Sequence, residues 1–341
     1  MLRSILRIAA RRLGIGVGPD GALILTSRAA ARYTQAATIQ PSPDWRADRF
    51  GYVQDMLSHP MDGRRAIDFS TIPAIGGRLY FRSSICTAQD FRHPDFHRWL
   101  GLIKEKPRVH RKIWEHIFIA QHIESAGLLQ AGRKGIGFGV GQEPLPAAFA
   151  AHGASILATD MSPDAATAAG WIETNQHASQ LSQLNSGGIC PDREFQSRVS
   201  FEVCNMNAIP AHYTDYDFCW SSCSLEHLGS IKAGLDFIKA SVKTLKVGGV
   251  AVHTTEYNVS SNEATIDDNP TLVLFRRRDI QQLVEELRAD GHFVAEVCYD
   301  VLSEPIDLFV DIPPFTADTH IRLVLANFVS TSIGLVIQRG K

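Results

Sequence analysis

Several things that the 341-residue sequence lacks narrow its function before any motif is considered. No stretch reaches the roughly 18 apolar residues needed to cross a bilayer. The formal net charge is only −2, so no global basic field argues for nucleic acid. The cysteines (Cys86, Cys190, Cys204, Cys219, Cys223 and Cys298) form no Cys-x-x-Cys pair. Cys219 and Cys223 stand four apart, with no His pair at ligand spacing nearby, so no metal site is expected. They read as reduced, mostly buried thiols of a reducing compartment. Internal repeats and low-complexity tracts are also missing. With 45% hydrophobic and 21% charged residues, the composition gives no support to a disordered or fibrous chain.

The N-terminus is basic and amphipathic. Arg3, Arg7 and Arg11 recur every four residues, with Leu2, Ile5, Leu6, Ala9 and Leu13 mostly on the other face. Residues 1–13 fit a helix resting on an anionic membrane surface, an organelle targeting segment, or a helix docked on the body. No uncharged apolar core follows, as a secretory signal would require. The expected location is cytoplasmic, with peripheral membrane contact as an option. Residues 1–109 read as an N-terminal extension and acceptor-side cap, with a linker-like Gln40-Pro-Ser-Pro43. Residues 110–341 read as the main domain, with 301–329 as a lid insertion.

From residue 110 the pattern alternates between two periods. A helix is expected over 110–126 and a strand over 134–138. A short helix from Pro146 to His152 comes next. Strands follow at 155–160, 199–203, 216–221 and 250–255, with helices at 231–245 and 278–289. Further strands are expected at 293–299 and 332–338. Strands alternating with helices mean a mostly parallel sheet covered on both faces.

The first strand ends in Gly137-x-Gly139-x-Gly141 ahead of a helix. Glycines there let the backbone approach a ligand and adopt positive φ. A dinucleotide fingerprint would need its third glycine at position 142, which is Gln. Glu143 beside the loop would repel a pyrophosphate but suit a cationic ligand. Asp160 closes the second strand, where an acid can accept ribose hydroxyls; the plainer reading is a cap for Ser162-Pro163.

In this order, the glycine loop, Asp160, the segment Asp217-Phe-Cys-Trp-Ser-Ser-Cys-Ser-Leu-Glu-His-Leu-Gly229 and the turn Leu245-Lys-Val-Gly-Gly-Val250 resemble class I S-adenosylmethionine (SAM)-dependent methyltransferases. The resemblance covers about residues 110–300. Residues 135–145, 252–258 and 275–279 are similar to a bacterial subgroup with poorly defined substrates. It implies a Rossmann-like, seven-stranded α/β sheet behind an N-terminal helical or irregular extension, with SAM as cofactor. Gly137, Gly139 and Gly141 would line the methionine part of SAM, Asp160 would hold the ribose, and Met161 would lie against the adenine. Asn205 and Met206 fall where the family usually places an acid for the adenine amino group; Asn keeps a carbonyl acceptor. Many members carry an acid two residues before the first glycine, but here that residue is Gly135, so Glu143 would take the SAM amino group. Ser222 joins the cofactor set.

Methyl transfer is an in-line displacement, helped by a general base when the acceptor is a hydroxyl. His227 is the candidate base, with Glu226 orienting it and Glu256 at the end of the fifth strand. His253, inside an apolar run, reads as structural. The expected acceptor is a small molecule, a hydroxyl of a sugar or glycan precursor or of a natural product. A nucleic-acid N-methyltransferase is the competitor. Its (Asp/Asn)-Pro-Pro-(Tyr/Phe) motif is matched only superficially by Ile312-Pro-Pro-Phe315, which lies away from the fourth strand. A non-catalytic SAM-binding scaffold is the other alternative.

Overall fold

The structure is a computed structural model. It describes the backbone of residues 15–17 and 23–25, then residues 82–164, 177–178, 180–301, 304–315 and 319–341. The basic segment 1–13, the stretch 40–43 and the aromatic-rich part of the cap up to residue 81 lie outside the described residues.

The central sheet is built from β1 (Arg82–Ile85), β2 (Lys134–Phe138), β3 (Ser155–Asp160), β4 (Val199–Val203), β5 (Tyr216–Ser222) and β6 (Leu245–Asn258). It is completed by β7 (Phe293–Val294), β8 (Glu296–Cys298), β9 (Val310–Asp311), β10 (Arg322–Leu325) and β11 (Phe328–Gln338). The main path runs β8-β1-β11-β6-β5-β2-β3-β4. From β4 to β6 every pairing is parallel, and β11 closes antiparallel on β6. The crossovers include α1 (Arg111–Ser125), leading into β2, α2 (Leu145–Ala151), α3 (Ile231–Lys243) and α4 (Arg277–Ala289). The architecture is Rossmann-like α/β, as the resemblance implied.

Two apolar clusters sandwich the sheet. One joins Trp114, Phe118, Phe149, Phe218 and Trp220 on the side of α1 and α2. The other joins Phe138, Phe237, Phe275 and Leu283 on the side of α3 and α4. Period-2 alternation assigns neighbouring residues of β2 to opposite sides, with Ile136 and Phe138 facing the second cluster. On the first side Gly135 pairs with Phe218 and Gly137 with Trp220. A Cβ at Gly135 would come within 2.3 Å of the Phe218 ring, and one at Gly137 within 2.4 Å of the Trp220 ring. Each aromatic ring on β5 therefore occupies the space of a missing side chain on β2.

Three expectations change. Arg82–Ile85, expected within a cap outside the main fold, is a strand inside the central sheet between β11 and β8. It is short and buried beyond Arg82, so it shows no alternation to read. The sixth strand is split into β7 and β8, which pair with different partners. The expected lid is largely packed: Ile306 and Asp307 are fully buried, and β10 pairs with β11. Among its described residues, Val301, Ile312 and Phe315 are exposed apolar side chains.

Among the described residues, no helix is long and apolar enough to cross a membrane. The Arg276-Arg277-Arg278 run is not a free basic patch. Arg276 chelates Asp279, Arg278 bonds Glu263, and Arg277 stacks on Tyr299 at 4.8 Å.

Candidate functional site

The glycine turn follows β2 directly. Gly139 and Gly141 have φ of +60° and +50°, which L-residues rarely adopt. A Cβ on Gly139 would meet Ser224 at 2.9 Å and Met206 Sδ at 3.0 Å, so this position needs glycine for both conformation and space. Gly137 differs from its two neighbours. It lies within the strand, against Trp220, and acts as a packing glycine rather than a loop residue.

Asp160 ends β3 beside that turn. Its Oδ2 accepts the Gly141 N–H at 3.0 Å and its Oδ1 accepts the Met161 N–H at 2.8 Å. Burial raises its pKa, while those N–H donors oppose the rise. A carboxylate has about four acceptor positions, so ligand hydroxyls can still be accepted. Met161 follows it, with its carbonyl bonded to His177 Nε2. Met206 is buried against the glycine turn. Asn205 uses its carbonyl to cap the following turn, accepting from Asn207 N at 3.0 Å.

Glu143 is more engaged than expected. Its Oε1 accepts the Trp220 indole N–H at 2.6 Å. Burial pushes its pKa up to about 8, against the lowering effect of that bond. The ring of Phe218 leaves no room for a side chain at Gly135, and Glu143 is held by Trp220 instead.

Beyond the end of β5 the chain turns through Cys223, held at φ +43°. Its N–H donates to the Thr254 carbonyl at 3.0 Å. Glu226 follows in a short 3-10 turn, with Oε2 accepting from Thr255 Oγ1 at 3.0 Å. His227 Nδ1 bonds the Thr271 carbonyl, which can only accept. The proton is therefore on Nδ1 and the basic lone pair on Nε2, 3.9 Å from Glu226 Oε1. That tautomer suits a general base.

Glu256 is not a free carboxylate. Arg111 from α1 pairs with its Oε1, and Ser330 Oγ donates to Oε2 at 2.7 Å. Ser222 Oγ lies 3.5 Å from Glu115 Oε2. His253 bonds Ser221 and Ser241 and is held down to about 3 by burial, so it is structural.

The sequence reading missed the contribution of α1. Arg111, Lys112 and Glu115 form one charge cluster that reaches Glu256 and Ser222. Arg111 Nη1 lies 3.3 Å from Glu115 Oε1, and Lys112 Nζ lies 3.4 Å from Glu115 Oε2. Burial alone would raise Glu115, but Lys112 and Arg111 outweigh it and hold the pKa at about 2. Only the apolar spacing of this helix drew notice; charges three and four apart on a helix with so many buried positions were the available signal. Ser224, against Gly139, was also missed.

No family model matches the chain, and no curated protein matches it. Solved structures do overlap it. A protein named as a sarcosine dimethylglycine methyltransferase from Galdieria sulphuraria is 15% identical, with a TM-score of 0.43 over 66% of this chain and 84% of that one. A SAM-dependent methyltransferase from Clostridium acetobutylicum is 13% identical, with a TM-score of 0.40 over 72% and 97%. A magnesium protoporphyrin IX methyltransferase from Synechocystis, solved with bound SAH, is 11% identical, with a TM-score of 0.39 over 72% and 94%. What defines the fold of this chain is its own strand order: parallel from β4 to β6, closed by antiparallel β11, with a glycine turn after β2.

Proposed function

We propose that this chain transfers a methyl group from SAM to the hydroxyl of a small molecule, a sugar or glycan precursor or a natural product. The observation that carries the reading is the pairing of Gly139 and Gly141, both at positive φ, with Asp160 beside them at the end of β3. Backbone can approach a ligand closely there, and the acid is placed for ribose hydroxyls. The site is not called on to hold phosphate: Glu143 and Asp160 supply acids, and position 142 is Gln.

SAM supplies an electrophilic methyl on a sulfonium whose positive charge is lost as the methyl leaves. The chain's own residues would do the rest. Asp160 would accept the ribose hydroxyls, and Met206 and Met161 would cover the base. Glu143 would receive the amino group, giving up its proton to do so. His227 Nε2 would take the acceptor's hydroxyl proton, with Glu226 beside the imidazolium that forms. Arg111, locked between two carboxylates, would fix the wall of the cleft.

Asp160→Ala is expected to weaken SAM and its demethylated product by about 1.5–3 kcal/mol through lost charge-assisted hydrogen bonds. Calorimetric titration measures this; an unchanged affinity would remove Asp160 from the ribose. The acceptor is found by incubating the chain with methyl-labelled SAM and cell extract. The label is expected in a small O-methylated product. Label in nucleic acid would support the N-methyltransferase alternative, and SAM binding without any labelled product would mean a scaffold.

A further inference from the structure

One group in the cleft has a need that none of the contacts described so far meets. Glu226 is 1% exposed, and its Oε1 has no hydrogen-bond partner. A buried, unpaired carboxylate oxygen costs several kcal/mol unless a donor, a proton or a cation meets it. Ligand atoms from Cys223, Glu226 and Glu256 all lie within 4.8 Å of one another, and all three residues are buried.

From this convergence we infer that Cys223, Glu226 and Glu256 form a binding site for one divalent cation of the zinc type. The inference stands apart from the methyl-transfer reading, because it concerns binding alone.

Four features support it. With the Cys223 thiol proton displaced by the metal, as binding requires, the charges balance: carboxylates of Glu115, Glu226 and Glu256 and the Cys223 thiolate, set against Arg111 and Lys112, leave two negative charges, those of one divalent ion. Each ligand residue already has a second partner, as metal ligands usually do. Thr255 holds Glu226, Ser330 and Arg111 hold Glu256, and Arg111 Nη1 lies 3.9 Å from Cys223 Sγ. Both Glu256 oxygens keep a second lone pair after those bonds. Finally, one sulfur with two carboxylates selects a borderline-soft ion such as Zn²⁺ over Mg²⁺, which wants an all-oxygen octahedron. Three protein ligands leave a tetrahedral ion one open position. His227 Nε2, beside Glu226 Oε1, lies on the rim of the site.

The test uses the full chain, stripped with a chelator and confirmed folded by circular dichroism, then titrated with Co²⁺ or Zn²⁺ alone. Co²⁺ is expected to bind once per chain and to give the thiolate-to-cobalt charge-transfer band in the near ultraviolet. Cys223→Ser should abolish that band, while Cys298→Ser, at a partly exposed cysteine outside the cluster, should keep it. Glu226→Gln should weaken Zn²⁺ by at least about 10- to 100-fold and erase the rise in melting temperature that Zn²⁺ gives the parent chain. Should Cys223→Ser fail to fold, Glu226→Gln and Cys298→Ser still decide the matter. No Co²⁺ band in the parent chain, or a band that survives in Cys223→Ser or Glu226→Gln with unchanged affinity, overturns the site. Glu226 would then carry a proton in place of a cation.

Discussion

Arg111→Ala is expected to lower stability by about 3–5 kcal/mol, because it leaves buried Glu256 without its cation and buried Glu115 with Lys112 alone. Arg111 is 6% exposed and bridges Glu115, Glu256 and Ser332, which ties α1 to β6 and β11. In a chain of this size the melting temperature should fall by on the order of 10 °C, read by thermal denaturation at neutral pH. The acid limb should change as well. Glu115 is held at about 2, below its ordinary 4.5. A depressed carboxylate stabilises the fold above its unfolded pKa, and that contribution is lost as pH falls through the folded value. In the parent chain this loss runs from about pH 4.5 down to about 2. Without Arg111 the folded value moves up and the contribution shrinks. A melting temperature within about 2 °C of the parent would mean that the pairing carries no net stability, as some buried ion pairs do not.

His227→Ala is expected to cut turnover of the identified acceptor by about 100- to 10,000-fold, the usual range for a general base, while SAM affinity holds. The reason is geometric. The Thr271 carbonyl fixes the Nδ1 proton, so Nε2 is the nitrogen able to accept. His227→Gln gives a second reading: it keeps hydrogen bonding but cannot take a proton, and should be nearly as slow. Turnover near the parent level in both variants would make His227 a structural cap for the 225–227 turn and send the search for the base to Glu226.

Where burial imposes a period on the chain, the sequence was readable. Strands 134–138, 155–160 and 199–203 match the structure at both ends: the first two carry buried apolar residues ahead of turn residues, and 199–203 alternates Val, Phe and Val with Ser and Glu. The helix at 110–126 was found within a residue at each end, from its apolar spacing and the glycine that follows. What failed to show were features that depend on a neighbour distant in sequence. Gly135 reads as a missing acid until Phe218 is seen opposite it. Arg82–Ile85 carries no pattern of its own and becomes a strand only because β11 and β8 flank it.

The site divides in the same way. Gly139, Gly141, Asp160, Met206, Glu226 and His227 converge at the carboxyl ends of the parallel strands, the side on which such sheets bind ligands. Glu256 and Ser222 reach that side too but face the charges of α1. Nothing in the sequence joined Arg111 to Glu256, because a long-range ion pair leaves no local period.

Calorimetric titration of the chain with SAM, at pH 7 in buffers of different ionisation enthalpy, tests the central claim most directly. Glu143 is held at about 8, so it is largely protonated at pH 7 and must ionise to pair with the SAM amino group. The account predicts one SAM bound per chain, release of close to one proton on binding, and no displacement by NADH. Displacement of SAM by NADH, or no binding of SAM at all, would contradict it.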